Sequence, residues 1–447
     1  MASDGATKLL TFTKVAPNVT VHGWWNNANA EVYRLNAWPK VAPGVDASAE
    51  IERTYSVAHG NPSEREVHFF VRNTGATTID IDVWAFWWNW TLKSTLDSIR
   101  AQFNVPAVGG AIVTNAGIKL IDVAGIRKHG SDVPVQLGDR WHLGSDTKAM
   151  TATLLGLLAQ KGAVDWNLTV AQAFPGWTKT INDWTKYRTF EMLMAHRSGI
   201  VNVLEEEWKA LRDTNVPEVT ERRREFARLI THRDLGGEPQ FAQTPGFEFS
   251  YQNANFILAG AMLERGTGKS WEDLMKTEVF QPLGMTTAGF GAPGSLNDVN
   301  EPWGHSDKSG QRVADKGDNT PGLGPAGTVH ASLGDWARFV RLHLDGSEGS
   351  LTLAPATLNR LHTEFPANFY YPNRYGWGWI FFDESGGVGL GHDGSNGSWY
   401  CSCQVLLNRG VGFIAVSNIG GGENGKGDLA CWKVIEKLRE WYFRPWP

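Results

Sequence analysis

Hydrophobic and polar positions alternate in short runs along the start of the chain, and turn residues interrupt the runs. The period is two residues at positions 67–72 and 79–83, which is typical of strands with one buried face. Gly75 can adopt a positive φ, so the segment 72–76 predicts a hairpin turn between two of these strands. We therefore predict a small all-β domain over residues 1–91. Its extended segments are expected at residues 18–22, 51–58, 66–73 and 77–88.

Beyond this domain the spacing becomes helical, because Leu92, Leu96, Ile99 and Phe103 recur three to four residues apart. The chain then shows strand patterns at residues 107–113, 118–124, 375–382, 388–392, 398–407 and 411–417. Helices and loops fill the middle of the chain, and a last helix follows the final strand. Early and late strands separated by helices predict an α+β domain over residues 92–447, in which distant segments close one antiparallel sheet flanked by helices.

Tryptophans are concentrated in the first domain, at Trp24, Trp25, Trp38, Trp84, Trp87, Trp88 and Trp90. An exposed row of such rings could form a carbohydrate-binding platform. The alternatives that we favour are a packed β core or an interface with the next domain, because residues 84–88 lack a clean polar face and lead directly into the following helix.

Composition and charge narrow the function classes. The chain has 447 residues, 42% of them hydrophobic and 20% charged, which is enough for a large core. Its 42 basic and 47 acidic side chains give a formal charge of -5. No dense basic run is present, so nucleic acid is not an expected partner.

Three cysteines, Cys401, Cys403 and Cys431, are too few for a disulfide framework and are expected to be reduced core residues. The chain start has no basic flank before an apolar run, and no segment reaches about 18 consecutive apolar residues. We expect a cytoplasmic protein that does not bind membranes, or a secreted or periplasmic one if a signal peptide was removed. A homo-oligomer stays open.

Candidate chemistry begins at Ser145 and Lys148, just before a run of core-spaced leucines. Three residues apart at a helix start, they share one face. A lysine with a lowered pKa could take the serine proton and make Ser145 a nucleophile. The alternative is a plain N-cap and a solvated lysine. Since a Ser-x-x-Lys should arise by chance roughly once in a chain this long, the pair alone is weak.

Two later motifs strengthen the pair. Tyr251 and Asn253 precede an apolar helix, where a tyrosine favoured as phenolate by adjacent cations could move protons and Asn253 could contact the substrate or Lys148. A competing Tyr-x-Asn at residues 371–373 lies in a proline-rich loop. The segment 391–399, starting Gly391-His392-Asp393-Gly394-Ser395, joins two predicted strands, where glycines let a substrate approach the backbone.

Together these motifs resemble the serine β-lactamase and penicillin-binding-protein superfamily, in its class C-like branch of carboxylesterases, D-aminopeptidases and D,D-carboxypeptidases. The resemblance covers about residue 96 to the end of the chain. It includes the His-x-Ser-Gly segment at 196–199 and the glycine turn at 325–328. It implies a β-lactamase-like sheet flanked by helices plus an all-α region, after the small all-β domain.

The resemblance also implies roles. Ser145 would be the acylated nucleophile, Lys148 and Tyr251 the proton-transfer pair with the base undecided, and Asn253 a substrate-binding residue. Gly394 and Ser395 would bind the substrate with His392, and the backbone N–H groups of Ser145 and Ser395 would form the oxyanion hole.

One residue departs from the pattern of many β-lactamases. His392 stands where they carry a lysine for the substrate carboxylate, which favours an ester or small-amide substrate over anionic β-lactams. We therefore predict a serine hydrolase or acyltransferase. A D-amino-acid peptidase, a β-lactamase and a non-catalytic binding protein on the same fold stay open.

Other catalytic signatures are missing from the sequence. There is no Gly-x-Ser-x-Gly, His-Glu-x-x-His, paired Cys-x-x-Cys or phosphate loop. We therefore expect that the enzyme needs no cofactor or metal. The run 221–224, Glu-Arg-Arg-Arg, predicts a solvated helix face rather than an anion site.

Overall fold

The structure of the protein is a computed structural model. It describes residues 5–16, 20–27, 33–40, 49–58, 65–74, 79–87, 91–200, 203–232, 249–295, 297–308, 311–365, 374–421 and 425–443. The chain divides into two compact units, Met1–Thr91 and Leu92–Pro447. No helix among the described residues is long and apolar enough to cross a membrane.

The first unit consists of antiparallel strands. They are β1 (Gly5–Val15), β2 (Thr20–Asn27), β3 (Tyr33–Lys40), β4 (Ala49–Ala58), β5 (Arg65–Asn73) and β6 (Ile79–Trp87). Within the described part of this unit, the strands form two three-stranded sheets, ordered β1-β6-β3 and β2-β5-β4. The predicted hairpin across 72–76 is therefore wrong, because β5 and β6 belong to different sheets. Trp88 and Trp90 lie outside the described residues.

Helices occur along the whole second unit and are most frequent in its middle. They are α1 (Leu92–Phe103), α2 (Thr147–Gln160), α3 (Val170–Ala173), α4 (Asp183–Lys186), α5 (Phe190–Met194), α6 (Glu205–Arg212), α7 (Val219–His232), α8 (Asn253–Thr267), α9 (Trp271–Leu274), α10 (Gln281–Leu283), α11 (Gly324–Gly327), α12 (Leu333–Asp345), α13 (Pro355–Leu361) and α14 (Lys426–Phe443). A short 3₁₀ turn, Gly144–Asp146, leads into α2.

The strands of the second unit are distributed along its length. They are β7 (Ala107–Thr114), β8 (Gly117–Gly125), β9 (Arg140–His142), β10 (Gly289–Phe290), β11 (Gly304–Lys308), β12 (Gln311–Asp315), β13 (Val329–Ser332), β14 (Ser347–Glu348), β15 (Leu351–Thr352), β16 (Tyr375–Gly376), β17 (Trp379–Glu384), β18 (Gly387–Ser395), β19 (Tyr400–Leu406) and β20 (Val411–Ser417).

The main sheet joins the two ends of this unit in the order β16-β17-β18-β19-β20-β7-β8. The last strand, β20, pairs antiparallel with β7 from Val411 opposite Thr114 to Ser417 opposite Val108. All residues of β20 are buried, because alternate side chains enter two hydrophobic cores on opposite faces of the sheet. The predicted α+β fold, with a sheet closed by distant segments, is confirmed.

The charged run 221–224 is only partly a solvated face. Arg224 has a side chain that is 58% exposed, as the run predicts. Arg223 is fully buried and forms ion pairs with Glu264 at 2.5 Å and Glu272 at 2.7 Å. The prediction is wrong for Arg223, because the helical period turns one arginine of the run inward, where two carboxylates compensate its charge.

The three cysteines are buried and carry free thiols. Cys401 and Cys403 lie on β19, and Cys431 lies on α14. Burial raises the pKa of each thiol well above its usual value. The thiols therefore behave as reduced core groups, as the sequence predicts.

Candidate active site

Ser145 lies in the 3₁₀ turn between β9 and α2. Gly144 precedes it with a φ of 47°, in the left-handed region that favours glycine. A Cβ at Gly144 would collide with the backbone nitrogen of Ser395. The glycine therefore lets the turn that carries Ser145 pack directly against the end of β18.

Lys148 lies in the first turn of α2 and is completely buried. Its Nζ donates hydrogen bonds to Asn253 Oδ1 at 2.8 Å and to the Ala326 carbonyl at 2.8 Å, and it lies 2.9 Å from Ser145 Oγ. Burial lowers the pKa of Lys148 to about 7, although the nearby Asp146 opposes this shift. A large fraction of this amine is therefore neutral near neutral pH and able to accept a proton.

Asn253 and the Ala326 carbonyl hold the lysine from the side opposite α2. Asn253 is the first residue of α8, and Ala326 lies in α11. A Cβ at Gly260 of α8 would collide with the Pro325 ring, so the two helices pack closely. The sequence predicted a contact from Asn253 to Lys148 or to substrate, and the structure provides the one to Lys148.

Tyr251 lies two residues before α8. Its ring centroid is 4.9 Å from Lys148 Nζ, and its hydroxyl shares a hydrogen bond with Ser145. Although 41% of the residue is exposed, desolvation of the phenol raises the pKa of Tyr251, and the hydrogen bond with Ser145 lowers it only in part. The expectation of a favoured phenolate is wrong for this structure, because burial disfavours the charged form of the phenol.

His392 lies on β18, almost fully buried. Its Nδ1 lies 2.7 Å from the Asp393 carbonyl and its Nε2 lies 2.9 Å from Tyr375 Oη. Because a carbonyl only accepts, Nδ1 carries the proton and Nε2 accepts from the tyrosine hydroxyl. Burial and the charge of Lys148 lower the pKa of His392 to about 3. The imidazole is neutral, and neither nitrogen is left to hydrogen-bond a substrate.

Gly394 and Ser395 end β18 beside the Ser145 turn. A Cβ at Gly394 would collide with the Leu143 carbonyl, so glycine is needed for this close approach. The Ser395 hydroxyl donates to the Trp399 carbonyl at 2.7 Å. Its side chain is therefore committed to the local turn, and the backbone nitrogen is the Ser395 group next to Gly144.

Several residues around this cluster were not singled out from the sequence. His142 Nδ1 accepts the Gly144 N–H at 3.0 Å, and its Nε2 lies 2.7 Å from Asp318 Oδ1, outside hydrogen-bond geometry. Asn396 Nδ2 donates to the same Asp318 oxygen at 3.0 Å. Tyr375 was predicted only as the start of a strand. The strand pattern at residues 375–382 does not indicate a polar partner for Tyr375.

Asp146 adds a buried carboxyl group to the cluster. Its Oδ2 lies 3.1 Å from Cys401 Sγ, and burial raises the pKa of Asp146 well above its usual value.

Across the described residues there is no group of three or more His, Cys, Asp or Glu that could hold a metal ion. The competing tyrosine motif at 371–373 lies outside the described residues. The structure thus brings Ser145, Lys148, Tyr251 and Asn253 together.

Comparison with known proteins finds a family match within the second unit of the chain. A model of the beta-lactamase family matches residues 92–430. Penicillin-binding protein 4 of Amycolatopsis lactamdurans is 25% identical over 339 residues, which cover 73% of this chain and 84% of that protein. The D-aminopeptidase of Brucella anthropi is 31% identical over 182 residues, which cover 40% of this chain and 33% of that protein.

A solved structure shows the same fold. The octameric penicillin-binding protein homologue from Pyrococcus abyssi superposes with a TM-score of 0.61 at 21% identity. The superposition covers 78% of this chain and 77% of that one. The likeness concerns the architecture of the sheet and its flanking helices.

Proposed function

Because the chain belongs to the beta-lactamase family, we propose that it hydrolyses an ester or a small amide through an acyl-enzyme on Ser145. Membership confirms the resemblance to the serine β-lactamase and penicillin-binding-protein superfamily, whose serine hydrolases include D-aminopeptidases, amidases and β-lactamases. The observation that carries the proposal is the buried Lys148 amine, 2.9 Å from the Ser145 hydroxyl and with a pKa near 7. Residues 1–91 are proposed as an accessory domain.

Acylation starts with proton transfer from Ser145 Oγ to the neutral amine of Lys148. The serine oxygen then forms a bond to the carbonyl carbon of the substrate. Lys148 is the better base of the two candidates, because its pKa is lowered toward neutrality while that of Tyr251 is raised. The protonated amine keeps its hydrogen bonds to Asn253 and Ala326.

Negative charge that develops on the carbonyl oxygen is stabilised by the backbone N–H groups of Ser145 and Ser395. When the bond to the leaving group breaks, the leaving oxygen or nitrogen takes a proton from the Tyr251 hydroxyl, and the Lys148 ammonium replaces that proton. Water then attacks the acyl carbonyl carbon and gives a proton to Lys148. The bond between the acyl carbon and Ser145 Oγ breaks, and Ser145 Oγ takes the proton back from Lys148 as the acid leaves. A second nucleophile in place of water would give acyl transfer.

The substrate is proposed to lack an essential carboxylate on its leaving group. His392 occupies the place of the lysine that binds the substrate carboxylate in many β-lactamases. Its imidazole is neutral, and both of its nitrogens are hydrogen-bonded, to the Asp393 carbonyl and the Tyr375 hydroxyl. This favours esters and uncharged amides over anionic β-lactams. The similarity to a D-aminopeptidase over part of the chain supports D-amino-acid amides as the second substrate class.

Rates on three substrates test the proposal. A short p-nitrophenyl ester should be hydrolysed fastest, a D-amino-acid amide more slowly, and a chromogenic cephalosporin slowest. Ser145→Ala should abolish all three activities, while Ser131→Ala, a surface serine bonded to the Lys128 carbonyl, should keep them. Activity retained by Ser145→Ala would refute the mechanism, and a preferred cephalosporin would refute the role given to His392.

A non-catalytic role makes a different prediction. If the chain only binds its ligand, none of the three substrates should turn over, and Ser145→Ala should bind as tightly as the wild type. The carbohydrate-binding alternative for the tryptophan-rich domain would show as a change in tryptophan fluorescence with millimolar sugar, independent of Ser145.

A further inference from the structure

His196 is a buried residue that the proposed mechanism does not use. It follows α5 and is 1% exposed. Its φ is 55°, a left-handed conformation that costs on the order of 1–3 kcal/mol for a residue other than glycine. Such strained positions persist only where the surrounding structure holds them, and they are concentrated at functional sites.

The backbone and side chain of His196 hold both sides of Tyr251. The His196 carbonyl accepts the Ser250 N–H at 2.9 Å. Its ring nitrogen Nδ1 accepts the Gln252 N–H at 3.2 Å and lies 3.1 Å from Asn255 Nδ2. The His196 ring packs on the Tyr251 ring with a centroid separation of 4.3 Å. Tyr251 is therefore held through its neighbours in sequence and through its ring.

The hydrogen bonds fix the tautomer of His196. A backbone N–H only donates, so Nδ1 is unprotonated and the proton is on Nε2. This Nε2 is buried and has no hydrogen-bond partner among the described residues. An unpaired buried donor is costly, and a phenyl ring would fill the same space without it. What the imidazole adds over a phenyl ring is the acceptor at Nδ1.

Asn255 connects the Nδ1 acceptor of His196 to a larger hydrogen-bond network. Its Oδ1 accepts the Ser198 hydroxyl, which orients its Nδ2 toward His196. Ser198 Oγ also accepts the Ile200 N–H at 3.1 Å. The His-x-Ser-Gly segment thus contributes two side chains, His196 and Ser198, to one polar network beneath Tyr251.

We propose that His196 is a positioning residue for Tyr251, holding the backbone at Ser250 and Gln252 so that the phenol stays at the Ser145 hydroxyl. This inference rests on the proposed function, since it assigns a purpose only if Tyr251 transfers protons. A displacement of about 1 Å in such a group can reduce the rate about 100-fold.

The test uses His196→Phe in the full-length chain. The phenyl ring keeps the packing and removes the acceptor, so kcat on the p-nitrophenyl ester should fall by about 10- to 100-fold with KM changed by less than about threefold. His362→Phe is the matched control, because His362 is an imidazole away from the site with a hydrogen bond to His343. Its kcat should stay close to that of the wild type.

A double-mutant cycle separates positioning from general destabilisation. If His196 acts through Tyr251, His196→Phe should cost little in a Tyr251→Phe background, because the effects overlap. Costs that multiply, or an unchanged kcat in His196→Phe, would overturn the inference. If His196→Phe does not fold, His196→Gly replaces it with the same expected loss of kcat, since glycine adopts a positive φ freely and removes both the Nδ1 acceptor and the ring contact. Retained activity in Ser145→Ala would instead refute the proposed function itself.

Discussion

The two sides of the candidate site both contain a buried basic side chain, yet the structure leaves them in different chemical states. Lys148 lies against a hydroxyl that can exchange its proton, and burial lowers its pKa to about 7. His392 lies between a carbonyl and the Tyr375 hydroxyl, and burial lowers its pKa to about 3. Burial favours the neutral form of both groups, but their hydrogen-bond partners decide whether the neutral group can act as a base. The Lys148 side is arranged for proton transfer, and the His392 side contributes a neutral, hydrogen-bonded imidazole.

The largest expected effect is on the Lys148 side. Lys148→Met keeps the volume and removes the amine, so kcat/KM on the p-nitrophenyl ester should fall by about 10²- to 10⁴-fold. The control is Lys316→Met, because Lys316 is also buried but donates to the Pro293 and Pro302 carbonyls. That variant should lose stability in thermal unfolding and keep most of its activity. Equal losses of activity in both variants would remove the special role of Lys148.

The pH dependence of kcat/KM should show the next largest effect. The base must be neutral, so activity should rise with pH up to about 7 and then level off. Below the midpoint it should fall about tenfold per pH unit. His392→Gln should keep this acidic limb, because the pKa of His392 is far lower. If the acidic limb disappears in His392→Gln, the group that titrates is His392 and not Lys148.

A smaller effect is expected from a carboxylate on the leaving group. Two p-nitrophenyl-type esters that differ only in a leaving-group carboxylate should have kcat/KM values within about threefold. A bound cation would instead give a preference of about tenfold or more for the anionic ester, since hydrogen bonds to charged groups contribute about 1.5–3 kcal/mol. His392→Gln should also hydrolyse the two esters with kcat/KM values within about threefold, because it exchanges one neutral side chain for another. A strong preference for the anionic ester in the wild type would contradict the neutral state of His392.

Tyr375→Phe should have the smallest effect on catalysis and a measurable effect on stability. The change leaves His392 Nε2 buried without its donor, which should cost about 1–3 kcal/mol in the free energy of unfolding by urea denaturation. The reduction in kcat should be far smaller than that in Lys148→Met. Tyr442→Phe, on the other face of the sheet, is the control for the loss of a tyrosine hydroxyl. A catalytic loss in Tyr375→Phe that matches Lys148→Met would abolish the distinction between the two sides.

Much of the fold could be predicted because its signals are local. The last sheet strand, 411–417, is predicted with the bounds the structure shows, since all its residues are apolar or small and buried. The hairpin at 72–76 is wrong because a turn sequence does not state which sheet receives the next strand. Arg223 is misjudged for a similar reason. A run of charges shows a polar helix but not which member faces Glu264 and Glu272.

The site was predictable as a set of residue types in order, and less so as chemistry. Ser145, Lys148 and Tyr251 are placed together as the motifs indicate. The pKa directions needed the structure, because desolvation depends on neighbours that are distant along the chain. The pairing of Tyr375 with His392 is also invisible in the sequence, because the two residues are 17 positions apart, with strand β17 between them.

The most direct test of the central claim is intact-mass analysis of the enzyme quenched during turnover of the p-nitrophenyl ester, followed by peptide mapping. The wild type should carry one acyl group on the peptide that contains Ser145, and Lys148→Met should accumulate it far more slowly. Ser145→Ala should carry none. An acyl group on another residue, or turnover without any adduct in the wild type and in variants with slowed deacylation, would contradict a Ser145 acyl-enzyme activated by Lys148.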